Sequence, residues 1–337
     1  MREKYAAAGV DVSAKDRFIE RIKPAIETTR DARVLGGIGH FAGCFSAAEL
    51  KDYDDPVLVA CGDGVGTKLK LATRAGPSGL RAVGIDLVAM SVNDLVACGA
   101  KPLFFIDYFA SAELDIDQAA AFVEGVADGC RQAGCALLGG ETAQMPGLYT
   151  PPDFDAAGFV TGVVERAALL GPDKAEAGLT LIGLASSGLH SNGFSLVRKH
   201  FSEPDDELLA PTRIYSRAVL GLRDQIGAAL RAVANITGGG LYENIPRMLP
   251  ATLRARVRHG SWLIPPVIER VRSAAELSLE ELYAIFNGGL GMVLAVESAA
   301  ATEALTALNE LGETAVEIGA LEARPEGGAG LIIDGLG

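Results

Sequence analysis

Apolar positions along the chain follow two periods. Phe18, Ile22 and Ile26 stand four apart, the spacing of an amphipathic helix. Val57-Leu58-Val59-Ala60-Cys61 is a short continuous apolar run that reads as a buried strand, and it leads into Gly62-Asp63-Gly64-Val65-Gly66-Thr67-Lys68. Val88, Val92 and Leu95 predict a helix over Leu87 to Cys98, with Asp86 as its N-cap, Gly99 at C′ and Pro102 beyond. A strand from Leu103 to Phe109 contains Asp107. Phe122, Val126 and Cys130 then mark a helix capped by Asp117 and ended by Gly134. Cys135 to Leu138 reads as a strand emptying into Gly139-Gly140-Glu141-Thr142, and Gly158 to Val164 as another.

The alternation continues in the second half. The strand Leu179 to Ala185 runs into Ser186-Ser187-Gly188-Leu189-His190-Ser191-Asn192-Gly193, and a short helix follows over Phe194 to Lys199. A long helix is expected from about Ile214 to Val233, followed by the glycine loop Thr237-Gly238-Gly239-Gly240. Gly291 to Val296 reads as a strand, Glu303 to Leu311 as a helix, and two short strands close the chain. The mixture of βα and ββ steps points to α+β rather than a parallel wind. With 337 residues, about two domains are expected. The boundary is placed near Glu165, giving 1–165 and 166–337, with no low-complexity linker between them.

Composition narrows the partners. A net charge of −13 disfavours nucleic acid and anionic membranes. No run approaches the ~18 apolar residues of a bilayer span, and Met1 to Val10 shows no apolar signal core. Five scattered cysteines read as reduced thiols, without the second pair that a zinc site requires. A cytoplasmic protein follows. The 41 glycines exceed the usual ~7% share and cluster at loops.

The carboxylates beside those glycines carry the chemistry. Asp63 and Glu141 sit at strand ends, and Asp94 interrupts an apolar helix beside Asn93. Two such charges ~4 Å apart repel by about 4 kcal/mol at an effective dielectric of ~20. Oxygen-only ligands select Mg²⁺, and glycine N–H groups then approach phosphates that share the metal. Alternatively, each carboxylate caps a turn. A P-loop is absent, because the segment reads Gly64-Val65-Gly66-Thr67-Lys68-Leu69. A G-x-G-x-x-A match at Gly37, Gly39 and Ala42 follows no strand and so lacks the dinucleotide context. The Gly188–Gly193 loop offers anion donors, and His190 titrates near neutrality in its ordinary state. The loop Gly36 to Phe41 reads as a mobile cover for phosphates. The residues alone therefore indicate an Mg-dependent, phosphate-handling α/β-type enzyme without naming its substrate.

These strings, with Tyr5-x-x-Ala8-Gly9-Val10-Asp11, Gly84-Ile85-Asp86-Leu87-Val88-Ala89-Met90, Pro102 to Tyr108, Leu209 to Tyr215 and Glu243-Asn244-Ile245-Pro246-Arg247, run in order over nearly the whole chain. They resemble the phosphoribosylformylglycinamidine cyclo-ligase (aminoimidazole ribonucleotide synthetase) family. The resemblance implies a two-domain α+β fold whose N-terminal sheets pair across a homodimer into a barrel-like core. It implies ATP-dependent closure of formylglycinamidine ribonucleotide to aminoimidazole ribonucleotide through an iminophosphate, releasing ADP and phosphate. By position, Asp63, Asp94 and Glu141 would hold Mg²⁺. Gly36, Gly37, Gly39, Gly64, Gly66, Thr67, Lys68 and Lys23 would bind ATP. Ser187, Gly188, His190, Ser191, Asn192 and Gly193 would bind substrate, with His190, Lys68 and Asp63 as catalytic residues. Asp86 and Asp107 are further polar candidates. Gln144, His40 and Leu189 depart from the family pattern.

The chain also resembles, more distantly, thiamine-monophosphate kinase, selenophosphate synthetase and a hydrogenase-maturation dehydratase. The dehydratase needs a C-terminal cysteine, whereas this chain ends Asp334-Gly335-Leu336-Gly337. The synthetase needs a cysteine beside its N-terminal glycine loop, whereas Cys44 lies after the loop. Another small-molecule phosphoryl-transfer enzyme, or a non-catalytic nucleotide-binding regulator, remains the alternative that turnover would separate.

Overall fold

The computed structural model describes residues 12–39 and 41–336, so the string Tyr5 to Asp11 and His40 lie outside the described residues. Helix α1 (Val12–Glu27) comes first. It buries Phe18, Ile22 and Ile26, the stripe expected from their spacing. The two-residue strands β1 (Val34–Leu35) and β2 (Cys44–Phe45) pair next. Then come β3 (Pro56–Gly64), α2 (Lys68–Arg74), α3 (Pro77–Ala97), β4 (Lys101–Ser111), α4 (Ile116–Ala133), β5 (Ala136–Gln144) and β6 (Phe154–Glu165). The four long strands form a sheet ordered β3-β6-β4-β5, in which only β4 and β5 run parallel, joined through α4.

The second half contributes β7 (Thr180–Ala185), α5 (Phe194–His200), α6 (Ser216–Ile226), β8 (Leu230–Asn235), α7 (Gly240–Arg247) and β9 (Leu253–Arg258). After these come α8 (Pro266–Ala274), α9 (Leu279–Ile285), β10 (Leu290–Val296), α10 (Ala301–Glu310), β11 (Ala315–Ala323) and β12 (Leu331–Asp334). Its six strands are ordered β12-β9-β11-β7-β10-β8, and β7 and β10 lie inside the sheet, each with two neighbours. One face of this sheet, with Ile182, Leu184 and Val296, shares a single apolar cluster with Val88, Phe105 and Phe122 of the first half. The opposite face packs Leu181, Val293 and Ile318 against Trp262 and Tyr283. The shared cluster welds the two halves together.

The α+β, two-sheet architecture agrees with the sequence, but the barrel does not. The N-terminal sheet is open: among the described residues β3 and β5 end it without a further strand partner. Helices α3 and α4 cover one face, while Leu58, Ile106 and Phe159 are exposed on the other.

Several element boundaries also shift. Helix α3 begins at Pro77, nearly three turns before the expected start, because Pro at N1 follows Gly76 with φ 70°. Asp86 is therefore inside the helix and caps nothing. Asp115, rather than Asp117, caps α4, accepting from the N–H groups of Asp117 and Gln118. Gly134, at φ 77°, ends α4 as expected. The long helix from Ile214 to Val233 is instead α6 followed by β8, divided at Gly227 with φ 54°. Strands β3 and β5 run through Asp63 and Glu141, which the sequence placed just beyond the strand ends. Gly84 and Gly125 let α3 and α4 approach closely. A Cβ on Gly84 would strike Phe122 O, and one on Gly125 would strike Arg81 O.

Candidate functional site

The end of β3 turns through Val65, Gly66 and Thr67 into α2 and faces the loop between β7 and α5. A cleft of ≈ 580 Å³ opens there, lined by Asp63, Gly64, Gly66 and Thr67 on one side and by Ser191, Asn192, Gly193 and Ser195 on the other. Thr237 closes its end, and Met90 and Asp155 contribute from α3 and β6. Thr67 Oγ1 lies 3.2 Å from Ser195 Oγ across it. The fold thus brings together two glycine-rich strings that are more than a hundred residues apart in sequence. Gly66 (φ 78°) and Gly193 (φ 76°) occupy the left-handed region at the two turns.

Asp63 is half-buried, and its Oδ1 accepts from Gly64 N at 2.7 Å. Burial first, and repulsion from Asp94 next, push its carboxyl above the ordinary range, against the Gly64 hydrogen bond. Asp94 projects from α3 into an adjoining pocket of ≈ 320 Å³ with Asn244 and Arg247. Its Oδ1 accepts from Asn235 Nδ2 at 2.8 Å. Glu141 does not join them. It is exposed on β5 and pairs with Lys15 at 3.1 Å. No group of three His, Cys, Asp or Glu side chains suited to a metal occurs among the described residues.

Lys68 lies beneath the cleft rather than in it. Its side chain is fully buried and pairs with Asp86 at 2.7 Å. The ammonium also donates to His190 O at 3.0 Å and Ala210 O at 2.9 Å, so all three of its donors are used. Burial pulls the ammonium below the ordinary lysine range, and Asp86 acts in the opposite direction. Asp86 Oδ1 in turn accepts from Thr212 N and Thr212 Oγ1 at 2.7 and 2.6 Å. Asn93 completes the clasp, donating to Arg213 O at 2.8 Å and accepting from Tyr215 N at 3.0 Å. One face of α3 therefore holds the segment 210–215 of the second half. The phosphate contact that the sequence suggests for Lys68 is corrected by this geometry, because no donor is left for a ligand.

His190 is also enclosed, at 2% exposure, in a left-handed conformation (φ 60°) unusual for a non-glycine residue. Its Nε2 accepts from Ser187 N at 3.2 Å. Burial, with the nearby Lys68 and Arg213 charges, pushes the imidazole down to about 3. The ring is neutral at physiological pH and hydrogen-bonded within its loop, so the near-neutral titration on which the proton-shuttling expectation rested does not hold in this environment. Below about 6.5 the unfolded state binds a proton that the folded ring refuses, so this residue's stabilising contribution falls as pH drops from about 6.5 toward 3. The ring nitrogen shifts of His190, followed by NMR, should stay flat between about pH 8 and 5. An inflection near 6.5 would show the ring to be exposed.

The remaining sequence candidates disperse. Ser187 is exposed and donates to Pro211 O at 2.5 Å, and Gly188 O accepts from Asn287 Nδ2 at 2.8 Å. Lys23 is exposed on α1, Gly36 O accepts from Arg30 Nη2, and Gly37 and Gly39 face open space. None of these four lines the cleft. Asp107 is buried on the helix side of β4, where burial pushes it up to about 7, and its Oδ1 would clash with any Cβ on Gly140. Gln144 ends β5, and Leu189 is buried. Sequence reasoning missed Asp155, Asn235 and the placement of Arg247. The string containing Asn244 and Arg247 was the available signal for the last.

Comparison with known proteins matches residues 42–164 to "AIR synthase related protein, N-terminal domain" and 176–332 to "AIR synthase related protein, C-terminal domain". A phosphoribosylformylglycinamidine cyclo-ligase of Myxococcus xanthus (strain DK1622) is 47% identical, covering 99% of this chain and 100% of its own. One from Aromatoleum aromaticum (strain DSM 19018 / LMG 30748 / EbN1) is 46% identical over 96% of both. A crystal structure of thiamine-monophosphate kinase from Stenotrophomonas maltophilia K279a superposes with a TM-score of 0.69 at 20% identity, covering 95% of each chain. At that identity the likeness speaks for fold alone.

Proposed function

The chain belongs to the phosphoribosylformylglycinamidine cyclo-ligase family, and from that membership we propose how its residues serve the reaction. The reaction is ATP-dependent closure of formylglycinamidine ribonucleotide to aminoimidazole ribonucleotide, with release of ADP and phosphate in purine biosynthesis. The observation that carries the site assignment is the cleft at the seam, where the 63–67 turn and the 191–195 loop face each other.

A formyl oxygen is a poor leaving group. Transfer of the γ-phosphoryl group to it gives an iminophosphate. The ribosyl-bearing amidine nitrogen then attacks the formyl carbon, loses its proton, and expels phosphate as the ring closes. Attack within one held molecule gains from proximity. In our reading the N–H groups of the Gly64–Thr67 turn approach the triphosphate, and Ser191, Asn192 and Thr237 hold the ribonucleotide from the opposite wall. Residues 1–165 then serve mainly ATP and metal, and residues 166–337 complete the substrate site.

Asp63 and Asp94 fit an Mg²⁺ ion accompanying ATP, since Asp94 already raises the cost of charge on Asp63. Such an ion, when bound, offsets negative charge during transfer. Glu141 is engaged by Lys15, so the metal assignment rests on Asp63 and Asp94.

The exposed face of Leu58, Ile106 and Phe159 supports a homodimer docking through it, since bare apolar sheet faces mark association surfaces. Five free thiols support residence in the reducing cytoplasm.

The test is ADP release from Mg-ATP with and without formylglycinamidine ribonucleotide, with the aminoimidazole product detected in parallel. ADP and aminoimidazole should appear together, and only with both substrate and metal present. ATP binding without turnover would instead indicate a regulator or a different acceptor.

A further inference from the structure

A separate pocket of ≈ 500 Å³ lies at the seam between the first half's last strand and the α6–β8 junction, lined by Lys174, Arg223, Arg231, Glu165, Leu170 and Ala228 among others. It shares no residue with the cleft at Asp63. Its volume is that of a small-molecule site. Three partly buried cations converge on it in a chain whose net charge is −13.

The partners of those cations are unusual. Lys174 Nζ donates to Ala167 O at 2.6 Å, and Arg223 Nη1 donates to Gly99 O. Neither cation has a carboxylate partner among the described residues. Arg231 is neutralised by Glu297, with Glu176 3.7 Å away, and its Nε is buried without an acceptor. Both oxygens of Glu165 are taken by the N–H groups of Asp54 and Asp55, each at 2.9 Å. The pocket therefore presents two cations without an ion-pair partner among the described residues beside the apolar walls of Leu170 and Ala228, while the oxygens of its one lining carboxylate, Glu165, are already hydrogen-bonded.

We infer that this pocket binds a small phosphate monoester carrying an apolar or aromatic body, at a site independent of the catalytic cleft. A phosphate dianion matches two uncompensated cations where a monocarboxylate matches one, and guanidinium–phosphate bonds are charge-assisted. The ligand bridges Lys174, in the segment that follows β6, and Arg223 of α6. Arg223 already reaches Gly99 O, just past the C-terminal end of the helix that carries Asp94.

Titration of the full chain with 4-fluorophenyl phosphate, read by fluorine NMR, tests this. We expect saturable binding with a dissociation constant below about 1 mM. Lys174→Met and Arg223→Met should each weaken it by about tenfold or more, and Arg223→Lys should restore much of the loss. Asn192→Ala, in the cleft, should leave it unchanged. 4-Fluorobenzoate should bind at least about tenfold more weakly, since it carries one charge fewer. Lys174→Met should keep its unfolding midpoint and its turnover without probe, which separates loss of the site from loss of the fold even if Arg223→Met is unstable. Absence of saturable binding, binding that survives Lys174→Met, or binding abolished by Asn192→Ala would each overturn the inference.

Discussion

Asp63→Asn is expected to lower kcat/KM for Mg-ATP by about 10²–10³, the cost of removing one preorganised charge from a phosphoryl-transfer site. Its carboxylate sits where β3 ends at the cleft, and Asp94 already disfavours its charge. That frustration is relieved when a cation binds, so metal affinity and deprotonation of Asp63 are linked. Wild-type apparent affinity for Mg²⁺ should weaken as pH falls into the raised range of Asp63, because protons then compete for the same oxygens. The asparagine variant should lose this pH dependence along with its rate, while its unfolding midpoint stays close to that of the parent. Steady-state kinetics across Mg²⁺ concentration and pH provide the check. Full activity of Asp63→Asn at limiting Mg²⁺ would remove Asp63 from the metal set.

Much of the fold was legible because it rests on local rules. The Phe18, Ile22, Ile26 stripe and the Gly134 terminus of α4 follow from periodicity and turn chemistry, whereas the apolar run Val57–Cys61, expected as a buried strand, is an edge strand with no buried residue and with Leu58 exposed. The failures have physical causes. Pro77-Ser78-Gly79 lies ahead of the helix expected from Leu87, yet Pro is at home at N1, and Gly79 is accommodated in the helix close to Ala72 and Ala75. In Leu230–Asn235, Ala, Val and Leu serve helix or strand equally, and pairing with β10 decides for the strand. The barrel came only from the resemblance, and no pattern within one chain specifies what covers Leu58, Ile106 and Phe159.

The site was legible as strings and illegible as geometry. The sequence grouped Asp63, Gly64, Gly66, Thr67, Ser191, Asn192 and Gly193 in glycine-rich strings, and the fold gathers them around one cleft, with Asp63 and Gly64 on the end of β3 rather than on a turn. It gave no means of seeing that Lys68 and His190, the two most reactive side chains in those strings, turn inward. Burial depends on what arrives from elsewhere, here the 210–215 segment fastened to α3. Asp94 and Glu141, similar on paper, separate because a partner distant in sequence, Lys15, takes the second.

Lys68→Met is expected to destabilise the protein by about 3–5 kcal/mol, the usual cost of breaking a buried ion pair from one side. Among the described residues the ammonium is the only partner of Asp86 Oδ2, which is otherwise buried and bare. Removing it also frees His190 O and Ala210 O, two carbonyls that fix the 187–193 loop and the 210–215 segment. Stability and function should therefore separate in the double variant Lys68→Met with Asp86→Leu. Replacing both charges removes the unpaired carboxylate, so a large part of the lost stability should return in urea titrations. Turnover should not return with it. Thr212 then lacks its acceptor, the His190 loop lacks its clasp, and the two walls of the cleft are no longer held in register, so kcat should remain low when the protein is fully folded. Recovery of activity in step with stability would make the pair a purely structural weld. Low activity in a stable double variant would show that Lys68 positions the catalytic loop from below, without touching substrate.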